Sequence, residues 1–211
     1  MNVIIVSGFT SLWMDVEKLK DAKNIVIGVD RGSLILLAGG VIPHVAIGDF
    51  DSISEKEYQQ LLETCKQVIT LQSDKDETDT EAAILHAVSL GATKISIYDG
   101  LGGRIDHTLA NIRLLLKFAK RGIDLELMNE TNYLKVLPPG AYELEPFKHR
   151  YLSFLALETD VKNLTLTGVK YPLTRYVLRQ EDVRLISNEI NSELFTVSFS
   201  EGYLLMMNSR D

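Results

Sequence analysis

Cysteine is nearly absent from this chain. Its 211 residues include one, Cys65, so no intramolecular disulfide can form and no thiolate-rich zinc site can assemble. Basic runs are missing too. Lys and Arg number 22 against 29 Asp and Glu, a formal charge of -7, and no stretch gathers enough cations to track a nucleic-acid backbone or an anionic bilayer. No run of about eighteen apolar residues occurs. The opening MNVIIVSGFTSLW has neither the basic flank nor the unbroken apolar stretch of a secretory leader. Internal repeats and low-complexity tracts are absent as well. Together these absences predict a protein that binds neither nucleic acid nor membrane and works in the reducing cytoplasm. Cys65 itself, at the end of a predicted helix over 55–65, reads as a small buried thiol.

What remains is ample material for a core, since 45% of the residues are apolar and 24% charged. In the first half, short aliphatic runs alternate with helical patterns. Strands are predicted at 2–7, at NIVIGV (24–29), around His44 to Ile47, at VITL (68–71), at KISIYD (94–99) and at IDLELM (123–128). Their side chains are too uniformly aliphatic for a sheet with one wet face, which predicts a buried parallel sheet. Between them DVEKLKDA, GSLILLAGG, EKEYQQLLETC and TDTEAAILHAVSLG read as helices, as does a stretch from about His107 to Arg121. Thr78 with Glu81 fits a capping box, Gly91 a stop signal, and Asp106 an N-cap.

Beyond residue 128 the pattern changes. NETN and PPG interrupt it, and β-rich segments follow at YLSFLAL, NLTLTGV, ELFTVSF and YLLMM. The predicted fold class is therefore α/β, a parallel-sheet N-terminal domain joined to a smaller C-terminal all-β, sandwich-like domain. The boundary falls between about Glu130 and Gly140, giving domains of 1–132 and 133–211.

Three acidic strings stand at the ends of predicted strands: GVDRG (28–32), GDFDS (48–52) and DKDETD (74–79). Open parallel sheets bind ligands at the carboxyl ends of their strands. Carboxylates gathered there repel one another unless a cation lies between them, which points to a hard divalent ion such as magnesium with a polyphosphate. Asp49 and Asp51 are two residues apart and can turn the same way in an extended loop, while Phe50 faces either the core or a base. Asp30 meets them if its strand is adjacent. Asp74, Lys75, Asp76 and Asp79 lie near a helix start, where Lys75 offers a mobile cation to a phosphate. Each string alone could equally hold turn-forming or capping aspartates; their recurrence favours a metal site.

In DGLGGRIDHTLAN (99–111), Gly100, Gly102 and Gly103 permit close backbone approach, but the string is neither a Walker A motif nor a dinucleotide fingerprint. Arg104 can fork onto phosphate, Asp106 can bind metal or cap the helix, and His107 can reach phosphate or satisfy a helix end.

The series GVDRG, GDFDS, DKDETD and GGRIDHTLAN, followed by a β-rich region containing SNE, resembles the compact bacterial thiamine pyrophosphokinase family over nearly the whole chain. That resemblance implies transfer of a pyrophosphoryl group from ATP to the hydroxyethyl oxygen of thiamine, releasing AMP, with magnesium required. It implies a homodimer with clefts at the subunit interface. By position, Asp49, Asp51 and Asp76 become the principal metal ligands, with Asp30 and Asp79 close by, and Asp51 or Asp76 is the candidate base. Lys75 and Arg104 face the triphosphate, Asp106 and His107 support phosphate or metal, and Thr78 and Asn111 join the pocket. Ser187 and Asn188 match the thiamine side, where they bond the pyrimidine or order its loop. Gly168, Lys170 and Tyr171 fall in a similar segment. The sole tryptophan, Trp13, lies far from that region, which leaves Phe195 or Tyr203 to stack on thiamine. Two other functions compete: a magnesium-dependent phosphohydrolase acting on a nucleotide or sugar phosphate, and a binding-only regulatory module.

Overall fold

A computed structural model describes residues 1–8, 13–72 and 74–211. The chain divides into two compact units, Met1–Leu114 with Gly122–Glu130, and Leu115–Arg121 with Thr131–Asp211.

The first unit is built on parallel strands β1 (Asn2–Ser7), β2 (Asn24–Val29), β3 (Val45–Gly48), β4 (Val68–Thr70), β5 (Lys94–Tyr98) and β6 (Asp124–Met128). They lie in the order β4-β3-β2-β1-β5-β6. From β1 the chain winds outward through β2 to β4 on one side, then returns to lay β5 and β6 on the other. The direction of winding thus reverses between β1 and β5, where a crevice opens beyond the strand ends. Both faces of β1 are covered: Val3 and Ile5 on one, Ile4 and Val6 on the other, all 3% exposed or less. This is why its sequence is continuously aliphatic rather than alternating.

Helices α1 (Val16–Lys20), α2 (Arg31–Ala38), α3 (Glu55–Thr64), α4 (Asp79–Ser89) and α5 (Ile105–Ala119) connect these strands. Ser54 and Glu57 form a full capping box on α3, and Thr78 caps α4 by accepting the Glu81 N–H. Helix α5 departs from expectation. It begins two residues before His107, and Asp106 lies inside its first turn instead of capping it, because its carboxylate is held by Arg104 and by the His107 N–H.

The second unit is antiparallel, with β7 (Asn132–Leu137), β8 (Gly140–Leu144), β9 (Tyr151–Thr167), β10 (Leu173–Leu178), β11 (Asn188–Glu189), β12 (Phe195–Phe199) and β13 (Glu201–Ser209). YLSFLAL and NLTLTGV, read separately in the sequence, are the two halves of β9. The first half pairs with β13 and the second with β10 and β12, so one strand serves both sheets. No Gly or Pro interrupts it, and it bends where Glu158 and Asn163 take positive φ of 68° and 58°. Alternate residues of β9, β12 and β13, including Phe154, Leu166, Phe195, Val197 and Leu204, point into one shared core.

Candidate active site

Two of the acidic strings end strands directly, GVDRG at β2 and GDFDS at β3, while DKDETD begins beyond the end of β4 and runs into α4. Asp30 follows β2 with φ 47° and ψ -123°, a conformation rare for any residue with a Cβ. Its Oδ1 accepts the Phe50 N–H at 3.2 Å, which ties the end of β2 to the loop after β3. Gly48 makes this approach possible, since a Cβ there would collide with the Asp30 carboxylate. In the next loop Phe50 also takes a positive φ, 56°, and turns its ring inward beside Tyr58 at a centroid distance of 5.3 Å. Phe50 is therefore a core anchor and not a base-stacking group. Asp49 Oδ1 accepts the Asp51 N–H at 3.1 Å, and Arg31 donates to the Ser52 carbonyl at 2.8 Å. The loop is pinned from three sides, and the two strained positions, Asp30 after β2 and Phe50 in this loop, fall at the carboxylates, as strain commonly does at functional sites.

Asp79 opens α4. One carboxylate oxygen from each of Asp30, Asp49 and Asp79 lies within 4.8 Å of the others. Burial, reinforced by the Asp79 charge and more weakly by Asp49 and Asp51, pushes the Asp30 carboxyl up to about 7 against the lowering effect of the Phe50 N–H. Lys75 answers part of this negative charge, 2.9 Å from Asp79 and 3.2 Å from the Gln72 carbonyl. Burial opposes its charge, but the bond to Asp79 and the fields of Asp79, Asp49 and Asp30 leave its ammonium more basic than usual. One lysine among three carboxylates is not full compensation. A hard divalent ion fits this all-oxygen set. Asp51, Asp74 and Asp76 are exposed and lie outside the three-carboxylate group among the described residues.

A small polar pocket of about 50 Å3 lies at the crevice between β1 and β5, lined in part by Ser7, Thr78, Thr80, Asp99, His107 and Asn111. Asn111 is 7% exposed and donates to the Gly100 carbonyl at 2.7 Å, so its amide nitrogen braces the glycine loop. Arg104 and Asp106 form an exposed ion pair at 2.6 Å. The bond to Arg104 chiefly, helped by the His107 N–H and the nearby positive charges, holds the Asp106 carboxyl down at about 2. His107 is exposed at the pocket rim. Asp99 was not singled out by sequence reasoning. It occupies the same place after β5 that Asp30 and Asp49 occupy after β2 and β3, and that recurrence was the signal available.

In the second unit, Asn188 is 3% exposed. Its Oδ1 accepts the N–H groups of Tyr171 (3.0 Å) and Glu189 (2.9 Å), and its Nδ2 donates to the Tyr171 carbonyl (3.0 Å). Of the two roles foreseen for Asn188, these bonds serve the ordering of its loop. Ser187 is exposed at φ 60°, with its N–H on Ser153 Oγ. Beside them lies a cavity of about 490 Å3, lined by Lys170, Tyr171, Leu173, Arg184 and Ile186 among others. Lys170 pairs with Glu189 at 2.9 Å. Phe195 is fully buried in the β core, packed against Phe147, and is unable to stack on a ligand. Tyr203 is half-buried, with Lys120 Nζ 5.7 Å from its ring centroid.

Comparison with known proteins adds to this geometry. Residues 16–127 match the family model described as thiamin pyrophosphokinase, catalytic domain, and residues 141–204 match thiamin pyrophosphokinase, vitamin B1 binding domain. The chain is 38% identical over 209 residues to the thiamine pyrophosphokinase of Bacillus subtilis, covering 99% of this chain and 98% of the relative. The crystal structure of thiamine pyrophosphokinase from Bacillus subtilis superposes with a TM-score of 0.92 at 37% identity, covering all of both chains. That from Geobacillus thermodenitrificans gives 0.89 at 36%, covering 100% of this chain and 98% of the other. The Candida albicans structure, at 19% identity and a TM-score of 0.82 over 99% of this chain and 88% of that one, shares the fold.

Proposed function

This chain belongs to the thiamine pyrophosphokinase family, and from that premise we propose how its residues carry out the family's reaction, transfer of a pyrophosphoryl group from ATP to the hydroxyethyl oxygen of thiamine with release of AMP. The observation that carries the reading is the convergence of Asp30, Asp49 and Asp79 from two strand ends and a helix start. These three carboxylates hold magnesium. Once bound, the ion supplies Lewis-acid polarisation of the phosphoryl oxygens and neutralises their charge.

The remaining groups position and discharge the reactants. Lys75 exchanges Asp79 for a phosphate oxygen as the nucleotide enters, because both partners compete for one ammonium. Arg104, forked on Asp106 and exposed, is free to turn the same fork onto phosphate. The N-terminus of α4 presents backbone N–H groups on the same side. Attack occurs at the β-phosphorus, so the thiamine oxygen must lie in line with the departing AMP oxygen; holding that alignment accounts for much of the rate. Asp51 or Asp76, both exposed, accepts the hydroxyl proton in this reading. His107 supports the phosphates from the pocket rim. On the thiamine side, Asn188 lines the larger cavity and Ser187 is its neighbour in the chain, and the cavity's basic and aromatic lining (Lys170, Arg184, Tyr171) suits a heteroaromatic substrate carrying a new diphosphate.

We further propose a homodimer with its clefts between subunits, working in the cytoplasm where ATP and magnesium are available. No helix among the described residues is long and apolar enough to cross a membrane. The phosphohydrolase and binding-only readings are not favoured by a chain that matches both domains of the transferase family. Purified protein given ATP, magnesium and thiamine should yield equimolar AMP and thiamine diphosphate. Release of ADP or inorganic phosphate without a thiamine product would overturn the assignment.

A further inference from the structure

The pocket between the ends of β1 and β5 contains an acidic group that the reaction outlined above does not use. Asp99 follows β5, lines the pocket, is 7% exposed, and has φ 59°. Its Oδ1 accepts a 2.7 Å hydrogen bond from Trp13 Nε1. Its Oδ2 is shielded from solvent and has no hydrogen-bond partner among the described residues. A carboxylate oxygen left in this state is costly, and burial accordingly raises the Asp99 pKa although the indole bond works against it. No such penalty is needed for the fold, since the indole could bond to a neutral acceptor. Oδ2 is therefore left available to a donor from outside the described residues.

The surroundings narrow the choice of ligand group. The pocket is small and polar, about 50 Å3, with hydroxyl, amide and carboxylate side chains (Ser7, Thr78, Thr80, Asn111, Asp99) in its wall, a lining that suits a hydroxyl group of a ligand. Asp99 is not part of the carboxylate group formed by Asp30, Asp49 and Asp79. Yet the two places adjoin through consecutive residues, because Thr78 lines the pocket and Asp79 belongs to the carboxylates. A nucleotide whose phosphates lie at Asp79 would place its sugar near Thr78. The pocket also stands at the reversal of strand order, where doubly wound sheets seat nucleotides and where a carboxylate is the usual acceptor for a ribose hydroxyl.

We propose that Asp99 recognises a ribose hydroxyl of the nucleotide through Oδ2, and that Trp13 is the positioning residue that fixes its carboxylate. A single hydrogen bond orients this carboxylate, and contact through the shielded Oδ2 requires it to turn about its Cβ–Cγ bond. Trp13 is itself braced by the Tyr98 ring, 5.5 Å between centroids. The inference rests on ATP being the phosphoryl donor.

The test is equilibrium binding of ATP, 2'-deoxy-ATP and 3'-deoxy-ATP, each with magnesium, to the full chain and to its Asp99→Asn and Trp13→Phe variants. The wild type should bind one of the deoxy nucleotides at least about tenfold more weakly than ATP, the worth of a hydrogen bond to a charged acceptor. Asp99→Asn should lower that ratio several-fold, since it replaces a charged acceptor with a neutral amide. Trp13→Phe retains the ring packing and should lower the ratio in part; a variant that unfolded Asp99→Asn would leave this one to decide. An unchanged ratio in a folded Asp99→Asn protein, or equal binding of all three nucleotides by the wild type, overturns the proposal while leaving the transferase reading intact. A wild type that binds none of them overturns both.

Discussion

At the scale of single residues, Asp30 combines burial, an unusual backbone conformation and two acidic neighbours. Asparagine tolerates positive φ and preserves the acceptor for Phe50 N–H, so Asp30→Asn should fold. Its effect on stability has a definite sign. The folded-state pKa is raised from 3.8 to about 7, so in metal-free protein the wild-type contribution is fully present below about pH 4 and is lost as pH rises towards 7. The melting temperature of Asp30→Asn should match the wild type near pH 4 and exceed it increasingly up to pH 7, with a constant gap above; thermal melts in chelator across that range measure it. Lys75→Ala should raise the KM for ATP about tenfold while leaving that for thiamine within about twofold, as expected for a charged phosphate contact. Asp51→Asn should slow transfer at least about tenfold with little change in metal affinity if it serves the proton and not the ion. The acidic strings were legible because Asp, Gly and Phe cluster after aliphatic runs. Which carboxylates meet was not, since that depends on the Phe50 turn and on the close approach of Asp30 to Gly48, neither of which has a local sequence signature. Asp99 escaped notice because it stands alone in a string whose glycines drew the reading.

At the scale of elements, two helices carry comparable caps but only one borders the site. Ser54→Ala on α3 and Thr78→Ala on α4 should each cost about 1 kcal/mol in denaturant unfolding. Thr78→Ala should in addition raise the KM for ATP, because Thr78 lines the β1/β5 pocket; equal KM values for the two variants would detach α4 from nucleotide binding. The strands of the first unit were legible almost to the residue, since burial on both faces leaves uninterrupted aliphatic runs. The length of β9 was not, because its bends at Glu158 and Asn163 use residues that resemble a loop while the ladder to β13 and β10 continues around them. The start of α5 was misread for a similar reason: Asp106 has the chemistry of a cap, but Arg104 claims its carboxylate.

At the scale of the whole molecule, the acidic balance of the chain and the local excess of carboxylates agree in calling for a cation before an anionic substrate can approach. Nucleotide affinity should therefore fall sharply in chelator, which calorimetry with and without magnesium would register. Sedimentation should give a particle of twice the 23.7 kDa chain mass if the homodimer forms. The central claim is that Asp30, Asp49 and Asp79 together hold the metal. Titration with Mn2+, followed by its electron paramagnetic resonance, would test this in the wild type and in single Asn variants of Asp30, Asp49, Asp51, Asp76 and Asp79. The account predicts at least about tenfold weaker binding for Asp30→Asn, Asp49→Asn and Asp79→Asn, and changes within about threefold for the other two. Wild-type affinity in the first three variants, with loss confined to Asp51→Asn and Asp76→Asn, would contradict it.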